Sequence, residues 1–230
     1  MTSRLDDPPG PSGDIPPVVG LGEPPATRRA CVGDAAALLA RAREQGLPVP
    51  DGFVVTVQGV GLIAEEVRRV APALRLAWQA LQGPVLLRMS SRTAHGESRG
   101  GGPEYFDATT WEGMLDGVNG LLLHDRLENP GRRDEPWGLL VLRRPLTLRS
   151  VLVITGDPFG TGEEIGLWRA EDDPASAGPR LRRRDRRMLR DLARRARAVA
   201  GGPIDMEVAI DVRDRPWVVD LRRYQHPPWR

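Results

Sequence analysis

The stretch GGPIDMEVAIDVRDRPWVVDLRR (201–223) decides how the chain is read. IDMEVAI (204–210) and PWVVDL (216–221) alternate apolar and polar residues around the turn-rich DVRDR, which is the pattern of a β-hairpin. Glu207 lies near the middle of one strand and Asp220 near the middle of the next. Side chains repeat every second residue along a strand, so Glu207 shares a face with Asp205, and Asp220 shares one with Arg222. Carboxylates opposed across a hairpin repel. A divalent cation removes that penalty, and an all-oxygen donor set suits magnesium. The competing reading is a solvated face on which Asp220 pairs with Arg222 or Arg215.

Before this hairpin, residues 181–200 read as a helix with nine arginines. Leu181, Met188, Leu189, Leu192, Ala196 and Val199 supply an apolar side, so the arginines read as the solvated side of an amphipathic helix. A polar linker (171–180) precedes it, after the loop GDPFGTG (156–162). WGLLVL (137–142) and VLVIT (151–155) flank the turn-prone RRPLTLRS and read as paired strands. Trp111, Met114, Leu115, Val118, Leu121 and Leu122 have helical spacing, and Thr109 with Glu112 has capping-box spacing ahead of them.

LLRMSSRTAHGESRGGGPEYF (86–106) reads as a strand delivering Arg88 to its end, followed by a loop of small residues. Such loops let backbone N–H groups approach phosphate oxygens, which Arg88 or Arg92 would neutralise; the competing reading is a plain surface loop. A helical pattern covers 58–82 with an interruption near Pro72, and FVVTV (53–57) reads as a strand. Asp34 is positioned to cap a helix over 35–45 that Gly46 ends. Residues 1–27 are Pro- and Gly-rich and read as a mostly disordered lead-in. Strands and helices are interspersed without regular alternation, which favours α+β.

Composition sets limits on function. The chain has 230 residues, 40% of them hydrophobic and 28% charged, as in ordinary globular proteins. No apolar run is long enough for a membrane span, and the N-terminus has no apolar signal region. The lone Cys31 has no disulfide partner within the chain, which fits a reducing cytoplasm. All 33 basic residues are Arg, so phosphate here must be held by guanidinium forks, backbone amides or metal. A net charge of +2 does not point to nucleic acid.

In order, these segments resemble the ATP-binding domain of phosphoenolpyruvate synthase, pyruvate phosphate dikinase and rifampicin phosphotransferase. VGDAAALLARAREQGLPVPDGFVVT (32–56) is similar to that domain's opening, and VLLRMSS (85–91) to its VAVRSS strand. SRGGGPEYFDAT (98–109) aligns with a Gly-containing segment without a gap, and SVLVITGDPFGTG (150–162) resembles its TRDP region. GGPIDMEVAID (201–211) is close to GGPQDIEWAID, and RPWVVDLRR (215–223) to the closing RLWLLQARP. The resemblance covers roughly residues 18–224 and implies an ATP-grasp-like fold, truncated, whose two small lobes (about 28–135 and 136–225) close on ATP and Mg2+.

It further implies that Arg88 and Arg222 contact phosphates and serve catalysis, and that Gly100 and Gly101 fall in the loop covering the phosphates. Glu207 becomes a magnesium ligand, assisted by Asp220 where the family has Gln. The departures are specific. Ala35 stands at the family's phosphate-binding Lys and Gly156 at the Arg of TRDP; LRRPL replaces the strand near the base, and a second Gly-rich segment and a phosphohistidine domain are missing. Two functions follow as expectations. One is an ATP-dependent phosphotransferase component whose acceptor is a separate protein or a small molecule. The other is a degenerate relative that binds or regulates a partner.

Overall fold

The protein is described by a computed structural model that covers residues 15–91, 106–128, 136–156, 165–169 and 181–223. Strands β1 (Val18–Gly20), β2 (Gly52–Val55), β3 (Val85–Ser91), β4 (Phe106–Ala108) and β5 (Trp137–Arg143) form one antiparallel sheet in the order β1-β2-β5-β3-β4. Strands β6 (Thr147–Thr155), β7 (Ile165–Arg169), β8 (Ile204–Asp211) and β9 (Pro216–Arg223) form a second, in the order β7-β6-β8-β9. The helices are α1 (Arg29–Val32), α2 (Asp34–Glu44), α3 (Val57–Glu66), α4 (Ala71–Leu81), α5 (Trp111–Glu128) and α6 (Arg183–Ala200).

The period-2 pattern assigns each face of the first sheet. Val55, Val85, Leu87, Leu139 and Val141 share one core with Val60 and Ile63 of α3, Leu74 of α4, and Met114, Val118 and Leu121 of α5. The opposite face offers Val54, Leu140 and Leu142 to a second core built with α2, α6 and the second sheet. α2 is buried on nearly every side, from Asp34 through Ala40. Five of its eleven residues are Ala, so the helix can lie close to both sheets while Leu38 and Leu39 fill the gaps. Truncating either leucine to Ala costs about 2–5 kcal/mol.

Several sequence expectations are revised here. β5 and β6 are not paired: β5 lies between β2 and β3, and β6 between β7 and β8. β5 is covered on both faces, which is why WGLLVL is apolar throughout rather than alternating. The change of sheet therefore falls after Arg143, later than the expected lobe boundary at 135/136. Within the lead-in, Val18–Gly20 adds a strand to β2, because short apolar VVG supplies a matching edge. Asp34 is the first residue of α2 rather than its cap, and Gly33 precedes it with φ +85°. Thr110, one residue later than expected, caps α5 by accepting from the Gly113 N–H at 3.0 Å. Pro72 does not kink one helix but sits in the first turn of a second, α4, where its missing N–H is harmless.

α6 follows its pattern. Leu189, Leu192, Ala193 and Ala196 are buried in the shared core, and the arginines flank them outside. Gly201, in the left-handed conformation at φ 72°, ends the helix. Arg195 donates to the carbonyls of Gln45 and Gly46 at 3.3 and 3.0 Å, which ties α6 to the end of α2.

Candidate functional site

The site is assembled from the inner faces of the two sheets. In β3, Val85, Leu87 and Met89 point to the α3–α5 core, so Leu86, Arg88 and Ser90 point the other way. Arg88 is therefore mid-strand rather than at a strand end, and it is only 2% exposed. Ser90, on the same face, accepts from the Ala36 N–H at 3.0 Å, which holds the first turn of α2 against β3. Gly33 makes that approach possible: a Cβ there would lie 1.9 Å from the Ser90 carbonyl oxygen. Ala35, at the resemblance's lysine position, is buried in the same turn.

The hairpin forms in the expected register. Asp205 stands opposite Arg222, and Glu207 opposite Asp220, with an irregularity just after Glu207. Met206, Val208, Val218 and Leu221 turn into the core under α6, which leaves the charged residues on the other face. That face meets Arg88. An Arg88 guanidinium nitrogen contacts the Asp220 carboxylate directly, joining β3 of one sheet to β9 of the other. The second Asp220 oxygen is 3.2 Å from the Arg222 guanidinium. Glu207 accepts from the Ser150 hydroxyl of β6 at 2.7 Å.

The solvated-face reading does not hold for Asp220, which is 5% exposed. It does pair with Arg222, but Arg215 instead pairs with Asp211 at 3.0 Å in the hairpin turn. Burial pushes the Asp220 carboxyl up to about 7; the Arg88 charge pulls it down, while Asp205 and Glu207 push it further up. The cluster thus carries three carboxylates and two guanidiniums, with Arg88 and Asp220 buried and Asp205, Glu207 and Arg222 half-buried. Its donors are oxygens and its crowded member is a carboxylate, which is the chemistry a hard divalent cation relieves. Among the described residues, no group of three or more His, Cys, Asp or Glu is arranged to hold a metal.

Of the sequence-derived site residues, the structure brings Arg88, Glu207, Asp220 and Arg222 together. Arg92, Gly100 and Gly101 lie outside the described residues. Ser150 was missed; its only sequence signal is a hydroxyl in an apolar strand, two residues before Leu152. A tie between the second sheet and α2 was missed as well. Arg223 of β9 pairs with Asp34 of α2 at 3.2 Å, and Arg29 approaches the same carboxylate at 3.3 Å.

No protein-family model matches the chain, and no curated protein matches it by sequence. Solved structures do match. C-terminally truncated Cdc123 from Schizosaccharomyces pombe is 14% identical at a TM-score of 0.54, with 83% of this chain aligned to 82% of that one. The D-alanine-D-alanine ligase from Coxiella burnetii is 12% identical at a TM-score of 0.51, over 87% of this chain and 50% of the ligase. The biotin carboxylase domain of the Hydrogenobacter thermophilus 2-oxoglutarate carboxylase, solved with MgADP, is 18% identical at 0.51, over 84% of this chain and 40% of that domain. The chain spans half or less of the ligase and carboxylase chains, and it has an ATP-grasp fold in which helix and sheet are mixed.

Proposed function

We propose that the chain binds Mg-ATP between its two sheets and acts as a phosphotransferase component related to the ATP-binding domain of phosphoenolpyruvate synthase. Arg88 and Arg222 contact the phosphates, and Glu207 and Asp220 hold magnesium. The observation that carries this reading is the meeting of Arg88 from one sheet with Asp220, Glu207 and Arg222 from the other. In an ATP-grasp fold the facing sheets are where a nucleotide is held, and the carboxylase neighbour solved with MgADP supports the choice of ligand. Magnesium would neutralise charge on the phosphates. The chain's own residues would orient the terminal phosphate toward an acceptor carried by a separate protein or a small molecule.

A second reading is favoured by a specific feature. Asp220 already engages Arg88, and Ala35 offers no charge where the resemblance has a lysine. Under that reading the fold serves as a partner-binding or regulatory module. Thermal melting separates the two. Mg-ATP should raise the melting temperature in a concentration-dependent way, by about 2.7 kcal/mol of added stability at a hundredfold excess over Kd. Glu207→Ala should abolish the rise. No rise at millimolar Mg-ATP rejects nucleotide binding and leaves the module reading.

A further inference from the structure

We propose that Asp220 is a resident anion holding the two arginines assigned above to phosphate, so that a phosphate chain is admitted only with a divalent cation to take that carboxylate. The inference rests on the nucleotide reading for the identity of its ligand. One Asp220 oxygen meets Arg88 and the other lies 3.2 Å from Arg222. A carboxylate presents two oxygens to guanidinium donors much as a phosphate group does, so the side chain stands where a phosphate would stand. It cannot diffuse away, because β9 fixes its backbone opposite Glu207.

The charges around it set an order of binding. A metal-free polyphosphate must displace Asp220 from both arginines, and it then faces Asp220, Glu207 and Asp205 on one sheet surface. Like charges gathered around the buried Asp220 carboxylate repel more than they would in water. A divalent cation reverses each term. It is drawn to the same carboxylates, and by engaging Asp220 it releases Arg88 and Arg222 for phosphate oxygens. Asp220 is thereby a specificity-determining residue that selects the metal-bound form of the ligand. An uncharged side chain of the same shape would not discriminate.

Inorganic tripolyphosphate is the probe, since it needs no base recognition. Its affinity is measured by calorimetry at pH 8, in EDTA and in magnesium, for the full chain and for Asp220→Asn. The expected result is that Asp220→Asn binds tripolyphosphate in EDTA about ten- to a hundredfold more tightly than the unmodified chain, the range of one charge-assisted hydrogen bond. The variant should also gain less from magnesium. Circular dichroism melts establish that it is folded, and Asp220→Gln replaces it if the shorter amide is not. The proposal is overturned if the variant binds no more tightly in EDTA, if neither protein binds tripolyphosphate, or if the unmodified chain binds equally well with and without magnesium. Should the variant bind tripolyphosphate while neither protein binds ATP, the resident-anion proposal stands and the nucleotide reading fails.

Discussion

Replacing Arg88 with Met isolates the contact that joins the two sheets. Arg88 is 2% exposed and Asp220 5%, so the substitution leaves a desolvated carboxylate facing Met. Removing one partner of a buried pair costs about 3–5 kcal/mol, since the other charge stays buried. Arg222 remains 3.2 Å from Asp220 and keeps the loss toward the lower end. For a chain of this size each kcal/mol lowers the melting temperature by roughly 2–4 °C, so a fall of roughly 6–20 °C is expected. The assay is thermal melting at pH 8; losing Arg88 pushes the Asp220 carboxyl further up from about 7, and any proton it then takes up also keeps the loss toward the lower end. The double variant Arg88→Met/Asp220→Leu removes both charges and should recover to within about 1 kcal/mol of the starting protein. A double-mutant cycle should then give a coupling of at least about 2 kcal/mol. If Arg88→Met melts with the unmodified chain, or if the two substitutions simply add, the pair does not hold the sheets together.

Two further expectations follow from local geometry and from charge. Gly33→Ala puts a Cβ 1.9 Å from the Ser90 carbonyl oxygen at φ +85° and should cost at least about 3 kcal/mol in chemical denaturation, whereas Gly61→Ala in α3, with open space around it, should stabilise by up to about 1 kcal/mol. Stability should also fall on both sides of a mildly acidic optimum. Burial alone would raise Asp211, but hydrogen bonds from the Arg215 backbone, the Trp217 indole, the Arg213 backbone and the Arg215 side chain outweigh it and hold the carboxyl at about 2. Its contribution is present above the ordinary value of 3.8 and is lost as pH drops through about 2. Asp220 has the opposite sign: its contribution is complete below 3.8 and is lost as pH rises through about 7. Denaturation against pH should therefore lose its acid arm in Asp211→Asn and its neutral arm in Asp220→Asn; a flat profile in the unmodified chain would contradict both assignments.

The hairpin was legible because its signal is local: alternation set the faces, and the DVRDR turn set the register that places Glu207 opposite Asp220. α5 and α6 were legible for the same reason, their buried residues recurring at helical spacing. What failed was long-range pairing. WGLLVL and VLVIT are neighbours in sequence, and nothing in either run says that one is the centre of a first sheet and the other the start of a second. Val18–Gly20 is too short to announce itself against the prolines around it, and only the edge of β2 makes it a strand. At the site, the sequence put Arg88 at the end of a strand, and its place mid-strand on the face opposite Val85, Leu87 and Met89 emerged only from the packing of β3. That its partner would be Asp220 depended on how the sheets meet. Asp220, which the resemblance casts as assisting Glu207 at magnesium, is in the fold also the group that engages Arg88.

Hydrogen exchange read strand by strand, with and without millimolar Mg-ATP, addresses nucleotide binding at these facing surfaces most directly. Ligand bound there should slow exchange in β3 (Val85–Ser91), β8 (Ile204–Asp211) and β9 (Pro216–Arg223), while α4 on the far side of the first sheet stays unchanged. Unaltered exchange in all three strands, or protection confined to segments elsewhere, would contradict a nucleotide site built on Arg88, Glu207, Asp220 and Arg222.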